Sequence, residues 1–132
     1  MAHPKHILVV DDDGDVRNFV VDMLREHGHW VSGAIDGKSM RDILTLGVPF
    51  DAIILDALMP GESGKDLALH AKELGLPLVM ISGSPEVIQF TIEHGLQLLE
   101  KPFRMSELFD ALDQAIGGGK FGHRGAQRAS TG

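Results

Sequence analysis

The sequence predicts an α/β domain of the (βα)5 doubly wound kind, a five-stranded parallel sheet with helices on both faces. Three observations carry the prediction. Five short apolar runs alternate with five segments of helical period. The runs, such as ILVV at 7–10 and AIIL at 52–55, are continuously apolar, as strands covered on both faces require. The connections are long enough to carry a helix back over the sheet, which gives parallel strands with right-handed crossovers.

Each element follows from local chemistry. HILVV at 6–10 is a buried strand that runs into Asp11, Asp12 and Asp13. Val16, Phe19, Val20, Met23 and Leu24 follow at i, i+3, i+4, i+7 and i+8, one face of a helix. Asp13 or Asp15 is placed to cap its start, and Gly28 suits a left-handed end. A second short strand is expected over 30–34, before the Asp36-Gly37 turn. Met40, Ile43 and Leu44 mark the second helix, closed near Gly47 and Pro49. The third strand, 52–55, ends at Asp56. A loop with Pro60, Gly61 and Gly64 leads to a helix bearing Leu67, Ala71 and Leu74, which Gly75 and Pro77 stop. LVMI at 78–81 is the fourth strand, ending at Ser82-Gly83. Pro85 suits the first turn of a helix with Val87, Ile88 and Ile92, and Gly95 stops it. A weaker fifth strand is expected over 96–99, before Lys101-Pro102-Phe103. Ser106 is expected to cap the last helix, whose inner face carries Leu108, Leu112, Ala115 and Ile116.

Composition narrows the function classes. A chain of 132 residues suits one domain with its own core. Lys plus Arg number 12 and Asp plus Glu 19, a net charge of −7. Lys120, Arg124 and Arg128 lie in the Gly-rich segment 117–132, which has no acid and no apolar period and reads as a flexible basic tail. That leaves nine basic and nineteen acidic residues on 1–116. So acidic a body argues against direct DNA binding. No cysteine is present, which removes disulfides, thiol catalysis and Cys-based zinc sites. No apolar run approaches the ~18 residues of a membrane span, and the start lacks a signal-peptide layout. A cytoplasmic protein with no membrane partner is the expectation.

In such sheets the functional site lies beyond the carboxyl ends of the strands. There the sequence places Asp11, Asp12 and Asp13, then Asp56, Ser82 and Lys101. Singly, each has an ordinary reading: an Asp after a strand caps a helix, a Ser turns the chain, a Lys before Pro is solvated. Jointly they bring carboxylates, a hydroxyl and an ammonium to one crevice. Crowded carboxylates either hold protons or attract a cation, and an oxygen-rich, water-accessible cluster suits Mg²⁺. A carboxylate beside the metal is a nucleophile toward phosphorus, and Lys101 with Ser82 would hold phosphoryl oxygens.

At these residues the chain resembles the receiver domain of two-component response regulators. The motifs are ILVVDDD (7–13), AIILDALMPGESG (52–64), LVMISG (78–83) and LEKPF (99–103), in order. The resemblance covers roughly residues 5–116, so 1–116 is expected to be the receiver domain and 117–132 a tail. It implies a flavodoxin-like sheet of order 2-1-3-4-5, an order the general rule for such folds already names. It implies that Asp56 takes a phosphoryl group from a sensor histidine kinase or histidine phosphotransfer protein. Asp11, Asp12, Asp56 and the Leu58 carbonyl are the implied Mg²⁺ ligands. Ser82 matches the switching hydroxyl, Lys101 the lysine that pairs with the acyl phosphate, and the Lys101-Pro102 bond is implied to be cis. Leu98 stands where the family usually carries Tyr or Phe, so a smaller or different rearrangement is expected on phosphorylation. The implied protein is not a conventional enzyme: it catalyses its own phosphorylation and dephosphorylation. Its output is expected to pass to a downstream protein target, with a homodimer also open.

Two other readings share these residues. A phosphorylation-independent binding module would use the same fold without the chemistry. A haloacid dehalogenase-type phosphatase would attack through Asp11 with Asp13 as acid, but it needs a later acidic pair that the sequence lacks. The Asp11/Asp13/Asp15 spacing mimics a calcium loop, yet Val16 and Asp22 occupy its glycine and glutamate positions.

Overall fold

A computed structural model describes residues 4–117. The elements follow one another as β1 (His6–Val10), α1 (Gly14–Glu26), β2 (Trp30–Ala34), α2 (Gly37–Thr45), β3 (Ala52–Asp56), α3 (Gly64–Glu73), β4 (Leu78–Ser82), α4 (Pro85–His94), β5 (Gln97–Glu100) and α5 (Met105–Gly117). The strands form one parallel sheet of order β2-β1-β3-β4-β5. The central strands β3 and β4 are buried along their whole length, as their unbroken apolar runs require.

Side-chain alternation divides the core in two. Ile7, Val9, Ile54, Val79 and Ile81 face α1 and α5, where Val20, Leu24, Leu108 and Leu112 meet them. Leu8, Val10, Ile53, Leu55 and Met80 face α2, α3 and α4, against Met40, Leu67, Ala71 and Phe90.

Several boundaries differ from the sequence expectation. β3 and β4 each take one more residue, so Asp56 and Ser82 are the last residues of their strands. β5 is shifted to 97–100. Ser106 does not cap α5: the helix starts at Met105, and the Glu107 carboxylate accepts the Arg104 N–H at 2.7 Å. Phe19 and Ile92 fit the helical period but are 54% and 68% exposed, because the buried stripes run through Val20, Val21 and Leu24 in α1 and Val87, Phe90 and Thr91 in α4. Gly117 belongs to α5. The rest of the expected tail, 118–132, lies outside the described residues.

The caps explain why the helices start where they do. Asp13 caps α1, its carboxylate accepting from the Asp15 and Val16 N–H groups. Asp36 and Ser39 form a reciprocal capping box on α2. Gly28 and Gly95 adopt φ of +97° and +65° at the ends of α1 and α4, as the sequence suggested.

The amino end of the sheet is closed by paired polar groups. The Asp51 carboxylate accepts the His6 N–H at 2.8 Å, and His29 Nδ1 accepts the Lys5 N–H at 3.1 Å. The His6 ring lies between the Pro49 carbonyl and the Ser32 hydroxyl, 4.2 Å from the Phe50 ring centre. His27 stacks on Phe109, joining α1 to α5.

Candidate phosphoryl-acceptor and metal site

β1 and β3 are neighbours, so their last residues converge at the carboxyl end of the sheet. Asp11, Asp12 and Asp56 each offer a carboxylate oxygen, and these oxygens all lie within 4.8 Å of one another. Asp11 and Asp56 are buried, at 2% and 4% exposure, while Asp12 opens to solvent. The group could hold a metal ion, and its donors are all hard oxygens.

The site is electrostatically tense. The Asp11 carboxyl is pushed up to about 6, chiefly by burial, with the charge of Asp56 adding to the shift. The Asp13 N–H, bonded to Asp11 Oδ1 at 2.9 Å, works against it, as does Lys101 more weakly. Lys101 Nζ sits 3.5 Å from Asp56 Oδ2. The Leu58 N–H donates to Asp56 Oδ1 at 3.1 Å. One oxygen of Asp56 is thus held by backbone and the other faces an ammonium.

The other expected residues fall into place around this centre. Ser82 ends β4, next to β3, and is 1% exposed. Its hydroxyl oxygen accepts the Ser84 N–H at 2.9 Å, and its carbonyl accepts the Lys101 N–H at 3.2 Å. The Lys101-Pro102 bond is cis. Leu58 is 62% exposed, so its side chain takes no part in the core. Leu98 pairs with Met80, two residues before the Ser82–Glu100 pair, and packs half-buried on the α2–α4 side. Oδ1 of Asp13 is engaged in capping the start of α1.

Some contacts around the site were not legible beforehand. Arg17 Nη1 donates to the Asp11 carbonyl at 2.6 Å. Arg41 of α2 holds Glu62 of the β3–α3 loop through Nε and Nη2. A Cβ on Gly64 would lie 2.4 Å from the Ala57 carbonyl oxygen, so only glycine lets α3 start against that loop. Asp15, Val16, Phe19, Lys101, Pro102 and Phe103 line an open groove of about 560 Å³ beside the lysine. Phe19 fits the apolar period of α1 and reads as core in the sequence, so its place in this groove shows only in three dimensions.

Comparison with known proteins gives a consistent answer. A model of the response regulator receiver domain matches residues 7–113. PetR of Rhodobacter capsulatus is 32% identical over 111 residues, covering 81% of this chain and 46% of PetR. The response regulator receiver protein CpdR of Brucella abortus is 29% identical over 117 residues, covering 85% of this chain and 97% of CpdR. The chain therefore spans about half the length of the first relative and nearly all of the second. Among solved structures, the chemotaxis protein CheY4 of Vibrio cholerae superposes with a TM-score of 0.72 at 28% identity, over 86% of this chain and 99% of that one.

Proposed function

The chain belongs to the response regulator receiver family, and on that premise we propose that Asp56 accepts a phosphoryl group from a phosphohistidine. The donor is a sensor histidine kinase or a histidine phosphotransfer protein. An Asp56 carboxylate oxygen attacks phosphorus, the P–N bond breaks, and the imidazole leaves with a proton from solvent. The product is an acyl phosphate. The observation that carries this reading is the fixed Asp56 carboxylate, buried beside two further carboxylates and 3.5 Å from Lys101.

Mg²⁺ fits the all-oxygen donor set, with Asp11, Asp12, Asp56 and the Leu58 carbonyl as the residues that would hold it. When bound, it would supply charge compensation for the phosphoryl oxygens. The residues of the chain do the rest. Asp11 and Asp12 orient the cation site. The Lys101 ammonium follows the charge from Asp56 onto the phosphoryl group, and the Ser82 hydroxyl leaves its backbone partner to donate to the same group. Water later hydrolyses the acyl phosphate, so the chain catalyses its own phosphorylation and its own dephosphorylation. With Leu98 in place of an aromatic ring, the rearrangement relayed to a downstream protein is smaller or takes a different form. The domain works in the cytoplasm.

Acetyl phosphate with MgCl₂ tests the assignment, read by intact mass. Wild type gains one phosphoryl group, EDTA suppresses the gain, and Asp56→Asn shows none while remaining folded. Labelling that persists in Asp56→Asn overturns the assignment. Absence of labelling in wild type, from acetyl phosphate and from candidate kinases alike, favours the phosphorylation-independent module. Lys101→Ala is expected to slow labelling and blunt the shift changes on β5 and α5. Unchanged kinetics and unchanged shifts would remove its role.

A further inference from the structure

We propose that Arg17 is a positioning residue for the metal site, acting through the backbone of Asp11. This rests on the Mg²⁺ reading above and adds to it a residue that is neither a ligand nor a phosphoryl contact. Arg17 closes the first turn of α1, and its side chain runs back toward the sheet. Nη1 donates to the Asp11 carbonyl at 2.6 Å, the shortest polar contact made by that loop. The Asp11 N–H, meanwhile, donates to the Ala34 carbonyl at 3.1 Å as the last backbone bond between β1 and β2. β2 stops there, so no further strand N–H meets the Asp11 carbonyl. Arg17 supplies that missing donor. Asp11 is thereby held through its own N–H and through its carbonyl, which belongs to the peptide that joins it to Asp12.

That peptide matters because it carries both acidic residues of the loop. Its orientation fixes where the Asp12 Cα stands, and so where the solvent-facing Asp12 carboxylate points relative to Asp11 and Asp56. Outer partners that orient metal ligands are commonly worth tenfold or more in affinity. The bond goes to a carbonyl and not to a carboxylate, so Arg17 orients the acidic residues without occupying their ligand oxygens.

The seat of the side chain is also built. Arg17 passes over Gly33 of β2, where an added Cβ would lie 3.4 Å from Arg17 Cδ and 3.8 Å from Cγ and Nε. Gly33 is exposed and has no left-handed backbone requirement, so a larger residue is compatible with the strand. Its substitution perturbs Arg17 without removing it.

The test is an NMR titration of the full chain with MgCl₂, following the amides of Asp12 and Asp13. Arg17→Met keeps the stem and removes the donor. Its Mg²⁺ Kd is expected to rise roughly tenfold, while its melting temperature in EDTA stays within a few degrees of wild type. Gly33→Val is expected to raise the Kd by a smaller factor, and to have no further effect in the Arg17→Met background. Arg17→Lys restores part of the affinity. An unchanged Kd in Arg17→Met overturns the proposal, as does full additivity of the two substitutions. If Arg17→Met does not fold, Gly33→Val decides alone: an unchanged Kd there overturns it. A wild type that binds no Mg²⁺ removes the proposed function and this role together. Wild-type binding with an indifferent Arg17 removes only this role.

Discussion

The two ends of the sheet carry similar polar groups and treat them in opposite ways. At the amino end, Asp51, His29, His6 and Ser32 all find partners in backbone or in one another. At the carboxyl end, three carboxylates face each other within 4.8 Å, and one of them is pushed up to about 6. The first arrangement closes a fold. The second stores a repulsion that a cation, a proton or Lys101 relieves. The same kind of residue is thus structural at one end and chemical at the other, and what differs is whether its charge is answered inside the chain.

The sharpest test of that contrast uses two glycines. Gly64→Ala drives a Cβ to 2.4 Å from the Ala57 carbonyl oxygen, which is backbone and cannot turn aside. The β3–α3 loop must shift, at a cost of about 1–3 kcal/mol or more. Gly47 precedes β3 at the amino end, with φ of +78° and nothing within 4 Å of an added Cβ. Gly47→Ala meets only backbone strain, about 1 kcal/mol. Urea denaturation compares them, and equal losses would show that the site loop is no more tightly built than the base.

Next in size is Asp11→Asn, with EDTA present. The folded Asp11 carboxyl sits at about 6, above its ordinary 3.8. The folded state therefore binds more protons than the unfolded one between those values, so stability falls as pH rises through that window. Above about pH 6 the penalty is fully present. Asparagine keeps the acceptor for the Asp13 N–H and removes the charge. The variant is expected to gain on the order of 2 kcal/mol at pH 7, shrinking toward nothing near pH 4. A variant no more stable than wild type at pH 7 would show that the carboxylates do not strain the fold.

At the other end the sign reverses. Asp51→Ala removes the acceptor for the His6 N–H and is expected to cost about 0.5–1.5 kcal/mol. It should leave labelling by acetyl phosphate unchanged. A phosphorylation defect in this variant would mean that the two ends are coupled.

Much of this division was written in the sequence. Continuous apolar runs at 7–10, 52–55 and 78–81 located the central strands, and the acidic, hydroxyl and ammonium residues after them located the site. Burial follows from hydrophobicity along a known period, so it is legible. Side-chain reach is not. Nothing in the sequence sets Arg17 apart, because its bond to Asp11 depends on a rotamer and on the bare Gly33 beside it. Arg41 and Glu62 lie 21 residues apart and meet only because α2 and the β3–α3 loop are brought side by side. The Ser106 cap failed for a related reason: Ser and Glu107 both suit a first turn, and the Glu side chain reached the Arg104 N–H.

The smallest expected effect is also the one that separates the two ends by pH. His29 is held below its ordinary value, first by burial, then by the charges of His27 and, more weakly, Lys5; Asp113 and Asp51 oppose this. Its folded state binds fewer protons than the unfolded chain, so stability rises with pH up to the ordinary value near 6.5 and is lost as pH falls below it. Asp11 pulls the other way, its stability contribution falling as pH rises. In wild type the two contributions to the pH dependence therefore oppose each other. His29→Asn keeps an acceptor for the Lys5 N–H and removes the titration. In an Asp11→Asn background, the stability of the metal-free protein should rise from pH 5 to 7; adding His29→Asn should flatten that rise. If the rise survives, the amino end is not where it originates, and the contrast between a settled base and a strained site loses its pH signature.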